Sequence, residues 1–281
     1  MKTIGFVDYY LSEWHANEYP AWIKEANEKL GEDFELKYAW AELDKSLVDG
    51  VSTDEWCAKY GVEKCETIEE LCQKADYILV LAPSNPETHL KYAEKVLKFK
   101  KNTYIDKTFA PDYATAQRIF EIAKENGTKF FSSSALRYST ELCDLVDSKC
   151  VITQGGGGNL EEYIIHQVEM AVKTMNAKAT KVRVELQGDN QYLCTVAFEN
   201  GKRATLIYAP CFGFSICAQK QDGGFVNRGI ASDFFKALIE DILRFYKSGE
   251  TSFCGCQTLE VMKIRGGIIQ AKNTLGEWVE L

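Results

Sequence analysis

The chain has 281 residues, 46% of them hydrophobic and 26% charged, with a formal net charge of −8. That length favours two domains over one, and the composition is that of a globular protein with ample apolar material for a core. The acidic balance argues against nucleic acid as a partner, because phosphate backbones are held by basic faces, and no apolar run approaches the ~20 residues that span a bilayer.

The ten cysteines, from Cys57 to Cys256, are scattered and form no matched Cys-x-x-Cys pairs. Cys254-Gly-Cys256 is too close for ordinary zinc spacing. They read as small buried apolar residues in a reducing compartment, with no metal and no disulfide. The chain opens directly on strand-like Ile4-Gly-Phe-Val7, so the expectation is a cytoplasmic protein without a signal peptide.

A dinucleotide fingerprint belongs after that first strand. A Gly-x-Gly-x-x-Gly loop bares the backbone to a pyrophosphate and aims a helix N-terminus at it. The residues present are Asp8-Tyr9-Tyr10-Leu11-Ser12, with none of those glycines. Ser12 suits the cap of a short helix whose free N–H groups face an anion. Pro20 suits the first turn of a second helix, Ala21 to Leu30, closed by Gly31. Either the cofactor is bound loosely or differently, or this domain no longer binds it.

A second strand, Phe34 to Ala41, ends at Glu42. An acid there receives ribose hydroxyls and repels a 2′-phosphate, pointing to NAD over NADP; a solvated acid at a strand end is the alternative. Short helices follow over Asp54–Tyr60 and Thr67–Ala75. Between Asp76 and Tyr138 strands and helices alternate. Tyr77–Ala82 leads into Pro83-Ser84 and on to His89. Asn102–Ile105 leads into Asp106-Lys107-Thr108, and Lys129–Ser132 leads toward Arg137. Apolar strand-length runs alternating with helices predict a parallel sheet covered on both faces. Ligands collect at the carboxyl ends of such strands, where His89, Lys107 and Arg137 fall.

This pattern resembles the Gfo/Idh/MocA family of nicotinamide-dependent oxidoreductases. The family has a strand ending in Pro, a His about six residues on, then a helix and a strand ending in Glu-Lys-Pro. Here Pro83, His89 and Asp106-Lys107-Thr108 stand in those places, His15-Ala16 matches the pair after the family's first loop, and Leu136-Arg137-Tyr138 matches a later segment. Thr108 replaces the family's proline. The resemblance implies that Lys107 lies beside the nicotinamide and the substrate hydroxyl. It implies a cofactor site drawn from Asp8, Tyr9, Tyr10, Ser12, Glu42, Pro83, Ser84, His89, Asp106 and Lys107. Arg137, Tyr138 and Glu169 are the residues expected at the substrate.

A boundary near Tyr138 divides the chain into residues 1–138, a Rossmann-like doubly wound parallel sheet, and residues 139–281, an α+β domain with a mostly antiparallel open sheet. A linking helix is expected over Thr140–Lys149, then a strand from Val151 to Thr153 and the loop Gly155 to Gly158. Four glycines imply flexibility or close backbone approach. The next helix, Leu160–Met175, carries Glu162 and His166 at i, i+4 on one face. A carboxylate there would orient the imidazole for proton transfer, with Glu169 competing for the same task. The resemblance gives His166 and Glu162 that catalytic role.

Alternating strands are expected at Thr180–Leu186, Gln191–Phe198, Arg203–Tyr208 and Phe212–Gln219, with an Asn-Gly turn over Glu199–Lys202. Helices follow at Ala231–Tyr246 and Thr258–Lys272, the last packing back on the first domain, and Glu277–Leu281 forms a final strand. By the resemblance, the open sheet face makes a homodimer or homotetramer. Three functions fit: an NAD(P)-dependent oxidoreductase acting on a carbohydrate-like small molecule, a non-catalytic binding or regulatory protein of the same fold, and a redox-neutral lyase or hydrolase.

Overall fold

The structure is a computed structural model that describes all 281 residues, the side chain of Asn200 excepted. It divides into two compact units. The first comprises Met1–Ser133 and Lys236–Cys254, the second Ser134–Phe235 and Gly255–Leu281.

The first unit is built on strands β1 (Lys2–Asp8), β2 (Phe34–Ala41), β3 (Glu63–Lys64), β4 (Tyr77–Val80), β5 (Thr103–Ile105) and β6 (Phe130–Phe131). They pair in the order β3-β2-β1-β4-β5-β6, every pair parallel. Between them run helices α1 (Trp14–Leu30), α2 (Thr53–Tyr60), α3 (Ile68–Lys74), α4 (His89–Val96) and α5 (Tyr113–Asn126). Ile4, Phe6, Val7, Ile78, Leu79, Val80, Tyr104 and Ile105 are all fully buried, as the continuous apolar runs require of strands covered on both faces. Gly5 serves packing: a Cβ there would lie 2.5 Å from Leu71 on α3. Because the strands are parallel, Asp8, which ends β1, and Glu42, Leu81 and Asp106, which follow β2, β4 and β5, stand on one rim.

Two expectations change here. α1 is one helix from Trp14 to Leu30 with Pro20 inside it, not a short helix followed by a second one. The proline removes a single i→i−4 bond, and the buried stripe of Ala16, Tyr19, Ile23 and Ala26 holds the helix together across it. The cap is Glu13; Ser12 sits before it at φ 62°, its hydroxyl bonded to Asp49 at 2.8 Å. From Lys236 onward α7 (Phe234–Ser248) belongs to the first unit. Its Tyr246 stacks on Tyr77 at 4.8 Å and donates to the Ile78 carbonyl at 2.7 Å.

The second unit holds β7 (Cys150–Gly155), α6 (Leu160–Met175), β8 (Ala179–Gly188), β9 (Gln191–Phe198), β10 (Arg203–Tyr208), β11 (Ser215–Gln219), β12 (Phe225–Gly229), α8 (Gly255–Ala271) and β13 (Trp278–Glu280). The sheet order is β12-β11-β7-β10-β9-β8-β13, antiparallel except for the β7–β10 pair. The expected helix over Thr140–Lys149 is a 3-10 turn at Thr140–Leu142 followed by turns. Leu142 and Leu145 are buried three residues apart, a spacing that a 3-10 turn satisfies. The strand expected from Phe212 begins at Ser215 and pairs with β12, which the sequence did not announce. The turn after β9 is a 3-10 turn with Gly201 at φ 77°, while the Asn200 side chain of the Asn-Gly signal lies outside the described residues.

The glycine loop answers to close approach. A Cβ on Gly156 would lie 1.9 Å from the Ala209 carbonyl oxygen, and one on Gly157 would lie 2.0 Å from the Tyr163 ring. One on Gly158 would meet Tyr163 at an ordinary 3.7 Å. Gly156→Ala is therefore expected to destabilise the protein by about 3 kcal/mol or more, because backbone must move, and Gly158→Ala by well under about 1 kcal/mol. Denaturant midpoints of the two variants check this directly.

Candidate active site

In the first unit the strand ends bring together an unusual set of buried polar groups. Asp8 is 1% exposed, Glu13 8%, His15 5% and Asp106 1%. Asp106 Oδ2 accepts a hydrogen bond from His15 Nδ1. Its Oδ1 accepts from the Lys107 backbone N–H at 2.8 Å and lies 3.2 Å from the Tyr104 hydroxyl. The His15 ring stacks on Tyr19, 5.1 Å between centroids and 14° between planes. Burial opposes ionisation of Asp106, but His15 and Lys107 outweigh it and hold the carboxyl below its usual range. Asp8 Oδ1 accepts from the N–H groups of Tyr9, at 2.7 Å, and Ala82, at 3.0 Å, while Oδ2 is buried without a hydrogen-bond partner. Burial first, and the Glu13 charge second, push Asp8 well above the ordinary carboxylate range.

Lys107 is half-buried, and its ammonium lies 3.4 Å from the Pro83 carbonyl; the Lys107–Thr108 peptide bond is cis. The Thr108 hydroxyl is a second buried polar atom without a partner at this rim. His89 begins α4 and is fully buried. Its ring nitrogens face the Phe109 carbonyl at 3.0 Å and the Leu81 carbonyl at 2.6 Å, so it ties the end of β4 to the segment after β5. Glu42 places one carboxylate oxygen 2.6 Å from Lys91 Nζ and the other 2.7 Å from the Tyr92 hydroxyl, which lower its pKa. Tyr9 and Tyr10 are half-buried with rings 5.9 Å apart; Pro83 is buried and Ser84 exposed.

The second unit carries its own polar group. His166, half-buried on α6, bonds through Nδ1 to the Ser134 hydroxyl at 2.7 Å and has the rings of Phe214 and Tyr163 at 5.5 and 5.9 Å. Glu162 stands one turn earlier, and its backbone N–H is held by the capping residue Asn159. Glu169 engages Arg137 Nε and the Ser134 N–H, and Arg137 Nη1 donates to Gln257 at 2.7 Å. Arg137 and Glu169, expected at the substrate, thus form a buried ion pair with each other, beside half-buried Tyr138. Ser134 went unnoticed in the sequence, since a serine in a Ser-Ser-Ser run carries no spacing that links it to a helix 32 residues on.

Glu13 is the other residue that sequence reasoning missed. Its carboxylate accepts from the His15 N–H at 2.8 Å and from the Ala16 N–H, and so covers the N-terminus of α1. Ser12 is the better cap by propensity, which hid the acid one residue later. Tested against a dinucleotide, the strand ends fit a hydrogen-bonding group, because Asp8 Oδ2 and Thr108 Oγ1 are buried and unpartnered there. The α1 terminus as it stands does not fit a phosphate: a carboxylate already holds its amides. Among the described residues no group of three or more His, Cys, Asp or Glu is placed to hold a metal, and no helix is long and apolar enough to cross a membrane.

Two stability predictions follow from these pairs. Asp8 has a raised folded pKa, so the folded state holds its proton above the pH at which the unfolded chain releases it. Its contribution to stability therefore falls as pH rises from the ordinary carboxylate value toward the folded one. Asp8→Asn removes that loss, and thermal melts should show it stabilising by about 1–3 kcal/mol near pH 8 relative to its effect near pH 4. Glu169→Ala leaves Arg137 buried without its counter-charge and should cost about 3–5 kcal/mol in denaturant unfolding.

Residues 33–134 match the profile of an oxidoreductase family with an NAD-binding Rossmann fold. The match begins after the loop that follows β1. An uncharacterized oxidoreductase of Escherichia coli K12, YhhX, is 28% identical over 99 residues, covering 35% of this chain and 28% of that protein. The chain thus aligns with less than a third of that relative's length. Among solved structures, myo-inositol dehydrogenase from Lactobacillus casei, in complex with NAD(H) and myo-inositol, superposes with a TM-score of 0.81 at 10% identity, covering 100% of this chain and 96% of that one. An NAD binding oxidoreductase from Klebsiella pneumoniae gives 0.78 at 14% identity over 99% and 98%. Aldose-aldose oxidoreductase from Caulobacter crescentus, complexed with glycerol, gives 0.76 at 16% over the whole of both chains. At these identities the structures show a shared fold.

Proposed function

We propose that this chain, which belongs through residues 33–134 to the Gfo/Idh/MocA family of oxidoreductases, interconverts a hydroxyl and a carbonyl on a polyhydroxylated small molecule of sugar or cyclitol type. The observation that carries the reading is Lys107: a half-buried lysine at the carboxyl end of β5, its backbone anchored by Asp106. Nicotinamide dinucleotide, when bound, supplies the hydride acceptor or donor. Lys107 offers positive charge to a substrate oxygen as it gains negative charge, a fixed interaction that strengthens in the transition state. His166 is the group of the second unit suited to hold or release a proton, with its ring oriented by Ser134. Glu42, an acid at the end of β2, favours NAD over NADP. The polyol substrate class is supported by the myo-inositol and aldose chemistry in the names of the similar structures. Exposed Ile152 on β7 and Phe225 on β12 support self-association through the second sheet.

A second reading has its own support. The carboxylate over α1 and the half-buried tyrosines after β1 favour a member of this fold that binds a small molecule without redox turnover. Thermal-shift measurements with NAD, NADH, NADP and NADPH separate the two, since a ligand that binds only the native state raises the melting temperature. Stabilisation by a dinucleotide supports the oxidoreductase; stabilisation only by polyols supports the binding protein.

If the first reading holds, Lys107→Met should lower kcat roughly 10²–10³-fold with an unchanged melting temperature, the loss typical of one electrostatic donor to a developing oxyanion. Activity above about a tenth of wild type would remove Lys107 from the reaction.

A further inference from the structure

The N-terminus of α1 is the position where a fold of this topology receives phosphate, because the first turn leaves amide N–H groups without partners and the helix dipole favours an anion. In this chain a side chain performs that function. Glu13 spans the helix end with both carboxylate oxygens, Oε2 on the His15 N–H at 2.8 Å and Oε1 on the Ala16 N–H. It is 8% exposed, so the contact is no surface cap. An independent observation marks the same rim as unfinished: Asp8 Oδ2 is buried with no hydrogen-bond partner, and the Asp8 carboxyl feels the Glu13 charge. His15, Asp106, Asp8 and Tyr19 are the titratable groups that interact with Glu13. Three of these five groups, counting Glu13 itself, are carboxyls.

We infer that Glu13 is an internal substitute for the phosphate at α1, and that a dinucleotide enters this rim only in exchange for the Glu13 carboxylate. The inference rests on the reading that the first unit takes a nicotinamide dinucleotide. The amides of His15 and Ala16 are the ones a phosphate oxygen needs, and each can donate to one acceptor well. A charged Glu13 left in place would also face the pyrophosphate in a buried setting, where like charges repel strongly. Affinity for dinucleotide is therefore limited by the chain's own carboxylate, and its removal opens the position.

The test is calorimetric titration of the full-length protein with NADH and NADPH. Glu13→Gln removes the charge at nearly constant shape. Glu13→Ser keeps a good cap with a shorter side chain, and serves if the glutamine variant fails to fold. Glu28→Gln removes the same charge from an exposed position far along α1 and is the control. The expected result is a dissociation constant at least about tenfold lower in either Glu13 variant, equal to roughly 1.4 kcal/mol, with the control unchanged. Measurable binding that is equal in wild type and Glu13 variants overturns the inference and leaves the oxidoreductase reading standing. Absence of dinucleotide binding in every variant up to millimolar ligand overturns both.

Discussion

The buried hydrogen bond from His15 to Asp106 is the constraint on which the first unit's rim depends. It joins the first turn of α1 to the residue that follows β5, two segments 91 residues apart in sequence. Asp106 then uses its second oxygen for the Lys107 N–H and lies within reach of the Tyr104 hydroxyl. The backbone of Lys107 is therefore set by a carboxylate that is itself set by a histidine. Removing His15 would take from the buried Asp106 carboxylate the hydrogen bond to Oδ2, a loss that costs more than the bond contributes when made. The stacking of Tyr19 on His15 fixes the ring from the helix side. The position of the Lys107 backbone thus follows from packing deep inside the unit, and only its side chain is left to meet solvent or ligand.

The same rim concentrates negative charge. Asp8, Glu13 and Asp106 are each at least nine-tenths buried, yet they respond differently. Asp106 has a histidine and a lysine beside it, and its carboxyl stays below the usual range. Asp8 has two backbone N–H groups but no cation, and burial raises it. Glu13 lies between these cases: burial raises it, and His15 with the two helix amides pulls the other way. One carboxylate is held charged by its partners while another is driven toward its neutral form. Such separated environments within a few residues are characteristic of functional rims.

Much of the fold was legible because its signals are periodic. Apolar runs named the parallel strands other than the two-residue β3, Glu63–Lys64, which has no apolar run to announce it, and alternating runs named β8, β9 and β10, since side-chain burial follows strand period directly. Lys107 and His89 were legible at the rim because the carboxyl end of a parallel strand is fixed once the strand is. What escaped has local or long-range causes. Pro20 looked like a helix start because its missing N–H is harmless there, but a well-packed stripe tolerates it in the interior. β12 carries alternating exposure on an edge, with Phe225 outward, and so lacks an apolar face to announce it. The Ser134–His166 and Arg137–Glu169 contacts join a turn to a helix more than thirty residues away, and nothing in their spacing encodes that meeting.

The loop after β1 shows how one residue type can change what a fold receives without changing the fold. A glycine fingerprint works by leaving backbone amides bare. Here the sheet around the loop is complete: β1 pairs with β2 and β4 through Val7, and Leu11 is buried beneath the turn. The match to the oxidoreductase family begins at residue 33, beyond this loop. The strand order is carried by the apolar strands, while the Lys107 rim also draws on His15 from the first turn of α1. The occupant of the α1 terminus is specified separately, by whether a side chain long enough to fold back stands at the cap. Glutamate is long enough, and its carboxylate holds the His15 and Ala16 amides. The stability of α1 therefore draws on the His15 and Ala16 N–H groups at its terminus.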